Sequence, residues 1–383
     1  MMISYQELVR TFLSMALFSL IIALLIFSLP VFRFIDEETE AVRSNSLDGM
    51  RFLLASFVIL HHLDCLHSYI TKGMWSPSSL WLTYMGKYGV ALFFMTTAYL
   101  FWGKVRNKET VDWVDLYKKR FLRIVPLATA CSFAGLVLLF SLTDHDPITL
   151  DTVSKTMSWF DGGLWNSKPN VTDFNKSWMA LAGVTWTLRW EWMFYFSLPL
   201  LFILKKWSME LTIVLFAFSV YLLPGFTRDA YLWSYFFAGM LCRELKDKII
   251  ISRLHANILL VATVLITGFA QPDLFRSPEK FFLCVIFFSV ISGADIFGLL
   301  ATKAAKRLGA VSYSLYLTQG LILFPLSQVI SKDDVSHTDY KVITLFVSAY
   351  ISICLLSSLT YHFVERPFIK SKKASLYKTN TAS

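Results

Sequence analysis

The sequence predicts an all-α fold, a polytopic transmembrane bundle of about ten to eleven helices. Hydrophobic residues make up 55% of the 383 residues and charged residues only 16%, whereas about 25% of the residues in a soluble globular domain are charged. The mean hydropathy is +0.54, and long apolar segments recur along the chain. This composition excludes a water-soluble enzyme and a disordered chain.

Eleven apolar segments are candidate membrane spans, for which a helix needs about 20 residues. They lie near residues 11–33, 50–68, 86–103, 124–142, 186–204, 208–224, 230–242, 256–270, 281–300, 311–330 and 341–363. The segments at 230–242 and 256–270 fall below about 17 residues, so each is re-entrant, tilted or extended by flanking residues. No repeat and no low-complexity linker divides the chain, so we expect one membrane domain.

The positions of Lys and Arg predict the orientation of these helices. If the N-terminus lies outside, the inner segments carry 24 of the 36 Lys and Arg residues, and cytoplasmic segments of membrane proteins carry such an excess. The net charge of +9 is thereby explained without nucleic acid as a partner. The five cysteines show no CxxC spacing, so we expect neither a disulfide scaffold nor a metal site.

Two further segments have alternative interpretations. The first apolar segment resembles a signal peptide, but its length, its end at Leu29-Pro30 and the lack of an A-x-A-like site favour an uncleaved anchor. The largest outer segment, 143–185, carries aromatic rings beside polar residues, which suit stacking on sugar rings and an interfacial belt equally well. These residues are Trp159, Trp165, Asn166, Asp173 and Trp178.

The second span places two polar side chains where lipid penalises them. Arg51 and His62 are 11 positions apart, which on a helix puts them about 20° apart in azimuth and roughly 16 Å apart along the axis. We therefore expect both to face one cavity. A guanidinium at the inner mouth can bind phosphate through two hydrogen bonds, and a neutral imidazole deeper inside can take a proton from a hydroxyl.

The neighbours of this pair leave other roles open. His61 points about 100° away from His62, so we expect at most one of the two histidines to share the Arg51 face. A hydrogen bond between helices is the ordinary alternative role for His62. Asp48, three residues before Arg51, either caps the helix or orients the guanidinium, and capping is the commoner role.

Two more groups of charged residues lie at the ends of apolar spans. Glu191 needs a partner, and Arg189 is too close in sequence to face it on a helix, so we expect a partner on another helix. Arg120 and Arg123 share one helical face at the start of the fourth span. They are either interfacial anchors or a phosphate clamp that acts with Arg51.

Six motifs follow one another along the chain. They are Ser46-Leu47-Asp48-Gly49-Met50-Arg51 leading to His62, Gly89-Val90-Ala91-Leu92-Phe93-Phe94, Arg120 and Arg123 before Pro126, Trp186-Thr187-Leu188 with Glu191 and Phe194-Tyr195, Ser312-Tyr313-Ser314-Leu315-Tyr316-Leu317, and Glu365-Arg366-Pro367. Over residues 46–370 this order resembles the acyltransferase-3 family. That family consists of bacterial integral-membrane O-acyltransferases that modify surface polysaccharides such as O-antigen.

The resemblance implies roles for individual residues. It makes His62 and Glu191 the expected catalytic residues, and it assigns the donor site to three arginines, Arg51, Arg120 and Arg123. We expect support from Asp48, His61, Tyr195 and Tyr313. The family takes acyl-CoA, usually acetyl-CoA, from the cytoplasm as a co-substrate, so no tightly bound cofactor is expected.

Three positions depart from the family pattern. Ala91 stands where the family generally has Asp, and Thr97-Ala98 where it has Ser-Gly. Gln319 takes a place where His is common, so we expect no second histidine there. No Cys or Ser carries a signature that requires a covalent acyl-enzyme.

The sequence thus predicts a bacterial inner-membrane O-acyltransferase. It would transfer acetyl from acetyl-CoA to a surface polysaccharide such as O-antigen or lipopolysaccharide, or to a lipid-linked glycan precursor. The expected parts are an extra helix and connector (1–45), the acyltransferase domain (46–370) and a basic cytoplasmic tail (371–383). The alternative is a transporter or flippase of a lipid-linked glycan, but no internal repeat or paired broken helices support it.

Overall fold

A computed structural model of the chain describes residues 5–36, 45–165, 167–223, 229–270, 277–335 and 340–369. These residues form an all-α structure, as predicted, without a β-strand in the described ranges. The helices are α1 (Tyr5–Ser28), α2 (Asn45–Lys72), α3 (Leu80–Val105), α4 (Trp113–Leu142), α5 (Leu150–Met157), α6 (Trp186–Ile203), α7 (Ser208–Tyr221), α8 (Trp233–Lys248), α9 (Arg253–Ala270), α10 (Ser277–Ile291), α11 (Lys303–Ala310), α12 (Ser312–Val329), α13 (Lys332–Val335) and α14 (Tyr340–Thr360).

Each of the eleven predicted spans overlaps one of these helices. Three stretches of the described chain are long and apolar enough to cross a membrane by themselves: Ser46–Lys72, Trp113–Leu142 and Lys341–Ile369. Phe12–Ser28 and Arg253–Gly268 are apolar but shorter. The remaining helices are too short or too polar for this criterion, so the number of crossings stays a prediction.

Large apolar side chains are exposed along single faces of the outer helices. On α1 they recur every four residues, and on α9 they recur every three or four. The residues are Leu13, Leu17, Ile21 and Leu25 on α1 and Leu254, Ile258, Val261 and Leu265 on α9. Water-soluble proteins rarely expose such continuous apolar stripes, so the chain is an integral membrane protein.

Polar side chains cap the N-termini of several helices. Asp112 accepts a hydrogen bond from the Asp115 backbone N–H at the start of α4. Thr149 and Thr152 form a reciprocal capping box at the start of α5. Thr302 accepts from the Ala305 N–H at the start of α11. Each cap satisfies an N–H that has no acceptor within its own helix.

Helix α2 lies at the centre, packed along α3, α11 and α12. Glycines allow the helices to approach closely, as is common in membranes. A Cβ at Gly89 of α3 would lie 2.8 Å from the Leu54 carbonyl oxygen of α2, and one at Gly239 of α8 would overlap the Met95 backbone of α3. These contacts hold α2, α3 and α8 together around the middle of the bundle.

The end of the predicted outer segment returns into the bundle. A 3₁₀ turn, Ser177–Leu181, is followed by Ala182 with a left-handed φ of 50°, and the stretch from Met179 to Ala182 is fully buried. A Cβ at Gly320 of α12 would overlap the Leu181 backbone. This re-entrant turn therefore packs directly on α12, and it was not predicted from the sequence.

The aromatic residues of the outer segment differ in their surroundings. Trp159 is only 1% exposed, and its indole N–H donates to the Pro169 carbonyl at 3.1 Å, so neither of the two alternatives, sugar stacking or an interfacial belt, applies to Trp159. Trp165 is 74% exposed, and Trp178 is half-buried. Asn166 lies outside the described residues.

An ion pair attaches the extra N-terminal helix to the bundle. Buried Arg307 on α11 donates to both carboxylate oxygens of Asp36, at 2.6 and 2.8 Å. It also donates to the Phe27 and Leu29 carbonyls at the end of α1. The last carbonyls of a helix have no hydrogen-bond donor within the helix. The Arg307 guanidinium supplies donors to two of them.

Candidate active site

His62 lies half-buried on α2 and lines a cavity of about 240 Å³. Its Nδ1 is 2.8 Å from the Oε1 of Gln319 on α12. Besides apolar side chains, the wall contains a second imidazole, an ammonium group and four aromatic rings. These belong to His61, Lys87, Trp186, Tyr231, Tyr235 and Tyr316. The cavity places a proton-accepting group beside flat apolar surfaces.

Both histidines of α2 line this cavity. The His61 Nδ1–H donates to the Leu82 carbonyl at 2.9 Å, and the two imidazole centroids are 5.2 Å apart. The imidazole of His61 fits against α3 because position 86 is glycine, where a Cβ would lie 2.6 Å from the ring. The expectation that at most one of the two histidines shares the Arg51 face stays a prediction, because Arg51 does not line this cavity.

Arg51 does not line the His62 cavity, contrary to the prediction of one shared cavity. It lies about three turns away on α2, where its guanidinium is 3.5 Å from the Asp48 carboxylate. Asp48 is inside the first turn of α2, so this contact favours orientation of Arg51 over helix capping.

Close backbone contacts fix the position of the Arg51 turn. A Cβ at Gly49 would overlap the Leu300 carbonyl oxygen, and a Cβ at Gly309 of α11 would overlap the Asp48 carbonyl oxygen. The turn thus lies directly between two backbone segments. This packing explains why glycine follows Asp48 in the motif.

Glu191 of α6 has polar neighbours from several helices. Its carboxylate accepts from the Thr97 hydroxyl of α3 at 3.4 Å and from the Tyr195 hydroxyl at 3.2 Å. The positive charges of Arg120 and Arg51 also act on it. Thr97 and the two arginines lie on other helices, as predicted, whereas Tyr195 lies on α6 together with Glu191. Because α3 runs antiparallel to α2, Thr97 and Glu191 lie toward the Arg51 end.

Arg120 and Arg123 contact different neighbours. The Arg120 guanidinium lies 4.7 Å from the ring centroid of Phe101 and 6.0 Å from that of Tyr195, beside Glu191. Arg123 forms an ion pair of 2.8 Å with buried Glu365. Arg120 therefore lies beside Glu191, whereas Arg123 is paired with Glu365.

Glu365 brings three of the sequence motifs together. Besides the ion pair with Arg123, it accepts a hydrogen bond from Ser314 of α12. Tyr313, next to Ser314, donates to the Ile124 carbonyl of α4 at 2.8 Å. A π-helical turn, Tyr361–Glu365, precedes Arg366; such turns add one residue to a helical turn. Tyr313 and Glu365 thus join α4, α12 and the last helix.

A cluster of aromatic rings lies beside His62. The indole of Trp75 is 5.9 Å from the His62 ring, and Trp178 contacts Trp75 edge-on at 6.1 Å. Tyr69 lies 6.4 Å from Trp75, and the Lys176 ammonium lies 4.8 Å from the Tyr69 ring. Trp75 thus lies between Trp178 of the outer segment and the His62 imidazole.

Metal ligation finds no support in the described ranges, which contain no group of three or more His, Cys, Asp or Glu residues able to hold an ion. The five cysteines are free thiols, and four of them are buried. The polar groups that the described structure brings together at the site are imidazoles, a carboxylate, guanidinium groups and hydroxyls.

The order of motifs and the all-helical fold agree with one family of proteins. A family model described as an acyltransferase domain matches residues 44–362. The chain belongs to the acyltransferase-3 family. Membership implies a membrane acyltransferase with an acyl donor and an acyl acceptor. No curated protein and no solved structure gives a significant match.

The sequence did not reveal several residues of this acyltransferase site. Gln319 stood out only as a departure from the family pattern, and its contact with His62 spans 257 positions. Lys87, Tyr231 and Tyr235 belong to no recognised motif, and the cavity becomes visible only when α2, α3, α6 and α8 pack together. Long-range packing of this kind leaves no periodic signal in a single sequence.

Proposed function

We propose that this acyltransferase transfers acetyl from acetyl-CoA to a hydroxyl of a surface polysaccharide, such as O-antigen, or of its lipid-linked precursor. The observation that carries the proposal is the His62 imidazole, held by Gln319 at 2.8 Å on the wall of an aromatic cavity. We further propose ten to eleven membrane crossings in a bacterial inner membrane, with the Arg51 end of α2 facing the cytoplasm.

The donor site is proposed at the Arg51 end of the bundle. Arg51 and Arg120 would bind the phosphates of acetyl-CoA, because guanidinium groups match phosphate oxygens in pairs of hydrogen bonds. Glu191 lies within the field of both arginines and would hold them in place. Arg123 pairs with Glu365, so its proposed share in phosphate binding is smaller than that of Arg120.

The acceptor site is proposed in the cavity beside His62. Flat aromatic faces such as those of Trp186 and Tyr235 suit the apolar faces of sugar rings. A cavity of about 240 Å³ lies below the roughly 300–1,000 Å³ of pockets for drug-sized ligands. It would therefore hold one sugar unit and not a long oligosaccharide.

Acetyl is transferred directly from CoA to the acceptor hydroxyl, without a covalent acyl-enzyme. His62 removes the proton from the acceptor hydroxyl while its oxygen attacks the thioester carbonyl. A C–O bond forms, the C–S bond breaks, and the CoA thiolate leaves. The imidazolium then returns its proton to this thiolate. The products are the O-acetylated glycan and free CoA.

The test is release of the CoA thiol by purified protein incubated with acetyl-CoA and a surface glycan. We expect His62→Ala to lose about 10²–10⁴-fold in rate, which is the contribution of a general base. His67→Ala is the matched control, since His67 lies on α2 outside the cavity wall. A transporter would leave the thioester intact, and near wild-type rates in His62→Ala would disprove the assignment.

A further inference from the structure

Two hydrogen bonds fix the orientation of the Gln319 side chain. The residue is fully buried on α12, and its Nε2 donates to the Tyr316 backbone carbonyl at 2.7 Å. Its Oε1 faces His62 Nδ1 at 2.8 Å. Exchange of the amide oxygen and nitrogen would place the oxygen against a carbonyl, which has no proton to donate. The observed orientation is therefore the one that the network permits.

This orientation determines which ring nitrogen of His62 carries the proton. An amide oxygen only accepts hydrogen bonds, so Nδ1 is the donor. A neutral imidazole has a single N–H, and Nε2 consequently keeps its lone pair. We propose that Gln319 is a positioning residue that holds His62 in the Nδ1-protonated tautomer, so that Nε2 is the atom that accepts the acceptor's proton. The inference rests on the proposed acyl transfer.

The part of α12 that carries Gln319 is itself held in place. The Tyr316 hydroxyl donates to the Val184 carbonyl at 3.2 Å and lies 3.0 Å from the Thr187 hydroxyl. One residue after Gln319, Gly320 packs against the backbone of the re-entrant turn. The amide is thus presented by a rigid segment, and rigid support of an orienting group is what a fixed tautomer requires.

A neutral amide differs from a carboxylate in this role. When His62 takes up a proton, Gln319 still accepts from Nδ1–H but adds no compensating negative charge. The other titratable groups on the same wall are His61 of α2, Lys87 of α3, Tyr231 and Tyr235 at α8, and Tyr316 of α12. None of these is a carboxylate. Replacement of Gln319 by Glu would therefore place the first negative charge on this wall, beside Nδ1.

The experiment compares Gln319→Glu and Gln319→Met in acetyl transfer measured across pH. In Gln319→Glu the added carboxylate stabilises the protonated imidazole, so the acid-side midpoint of the kcat/KM profile should rise by about one to three pH units. In Gln319→Met the orienting bond is lost, and kcat should fall at least about tenfold but by no more than the roughly 10²–10⁴-fold that a general base contributes. KM for acetyl-CoA should stay unchanged.

Gln328 supplies the matched control on the same helix. Its amide contacts Ser327 and it does not line the cavity, so Gln328→Glu and Gln328→Met should leave both the profile and kcat unchanged. A purely structural role for Gln319 would lower the amount of folded protein without moving the midpoint. If Gln319→Met does not fold, the midpoint of the isosteric Gln319→Glu decides alone.

Two results overturn the inference. One is a Gln319→Glu profile that coincides with the wild-type profile, and the other is a folded Gln319→Met variant with wild-type kcat. Failure of the proposed function is a separate outcome, because it would appear as full activity in His62→Ala. If His62→Ala is inactive and the Gln319 variants behave as wild type, the role of Gln319 is rejected and the proposed acyl transfer is kept.

Discussion

Arg120 and Arg123 lie three residues apart on α4, yet their guanidinium groups have different environments. Arg120 lies over the ring of Phe101 near Glu191, whereas Arg123 is paired with the buried carboxylate of Glu365. Two arginines that form a pair in the sequence can therefore have different roles. Arg120 lies close to the proposed donor site, and Arg123 joins two helices through its ion pair with Glu365.

We expect Arg123→Met to reduce the free energy of unfolding by about 3–5 kcal/mol, because Glu365 would remain buried without its cation. The double variant Arg123→Met/Glu365→Met should recover most of this loss, since it removes both charges. Denaturant unfolding of the purified protein in detergent measures both. Equal stability of the single variant and wild type would contradict a structural role for the pair.

Arg120→Met should instead affect the donor. Loss of hydrogen bonds to a charged group costs about 1.5–3 kcal/mol, which corresponds to a rise of roughly 10- to 150-fold in KM for acetyl-CoA. Initial rates at varied acetyl-CoA give this value, and Lys246→Met at the end of α8 is the control for loss of one positive charge. An unchanged KM would remove Arg120 from the proposed phosphate site.

Trp186 and Trp190 allow a test of the acceptor cavity. Both are half-buried on α6, and each contacts another aromatic ring edge-on, but only Trp186 lines the cavity. We expect Trp186→Leu to raise KM for the glycan about fivefold or more, because loss of about 40 Å² of apolar contact costs roughly 1 kcal/mol. Trp190→Leu should leave this KM unchanged. Equal effects of the two variants would place the acceptor elsewhere.

At the scale of helices, α1 packs apolar side chains against α11 and α14, and polar contacts at its end add to this attachment. The hydrogen bonds from Arg307 lower the pKa of the Asp36 carboxyl, and the opposing effect of burial is smaller. A carboxyl whose pKa is lowered on folding contributes stability above its ordinary value of 3.8. That contribution is lost as the pH falls through the lower value of the folded state.

The Asp36→Asn variant should therefore be less stable than wild type at pH 7, and the difference should shrink as the pH approaches 3. Thermal unfolding in detergent over this range measures the difference. Asp146→Asn serves as a control, since Asp146 is exposed. A difference that stays constant with pH would show that the Asp36 charge does not hold α1.

Residues of the re-entrant turn show what a single sequence predicts and what it does not. The long apolar runs indicated the helices correctly, because burial in lipid imposes about 20 apolar residues on a span. The turn from Ser177 to Ala182 has no such run and depends on close contact with Gly320 of α12. Contacts between distant segments, including His62 with Gln319, leave no local pattern.

For the whole molecule, the site combines elements from most of the chain. α2 supplies Arg51 and His62, α4 supplies Arg120, α6 supplies Glu191, and α12 supplies Gln319. The motifs predicted four of these five residues, since spacing on one helix and order along the chain are visible in sequence. That Arg51 lies outside the His62 cavity was not visible, because the lining of a cavity depends on how several helices pack together.

In the proposed orientation the two substrates reach His62 from opposite ends of the bundle. Acetyl-CoA would bind at the Arg51 end of α2, and the acceptor hydroxyl would reach His62 from the aromatic side near Trp75. His62 would thus act where the two substrates meet. The acetylated product should therefore be detectable in the cell as well as with the purified protein.

The most direct measurement is mass spectrometry of surface glycans from a deletion strain that carries wild-type or His62→Ala protein at equal membrane abundance. We expect wild type to restore the O-acetyl groups missing from the deletion strain and His62→Ala to leave the glycan unacetylated. Full acetylation by His62→Ala, or a deletion strain with unaltered glycans, would show that His62 does not catalyse acetylation of a surface glycan.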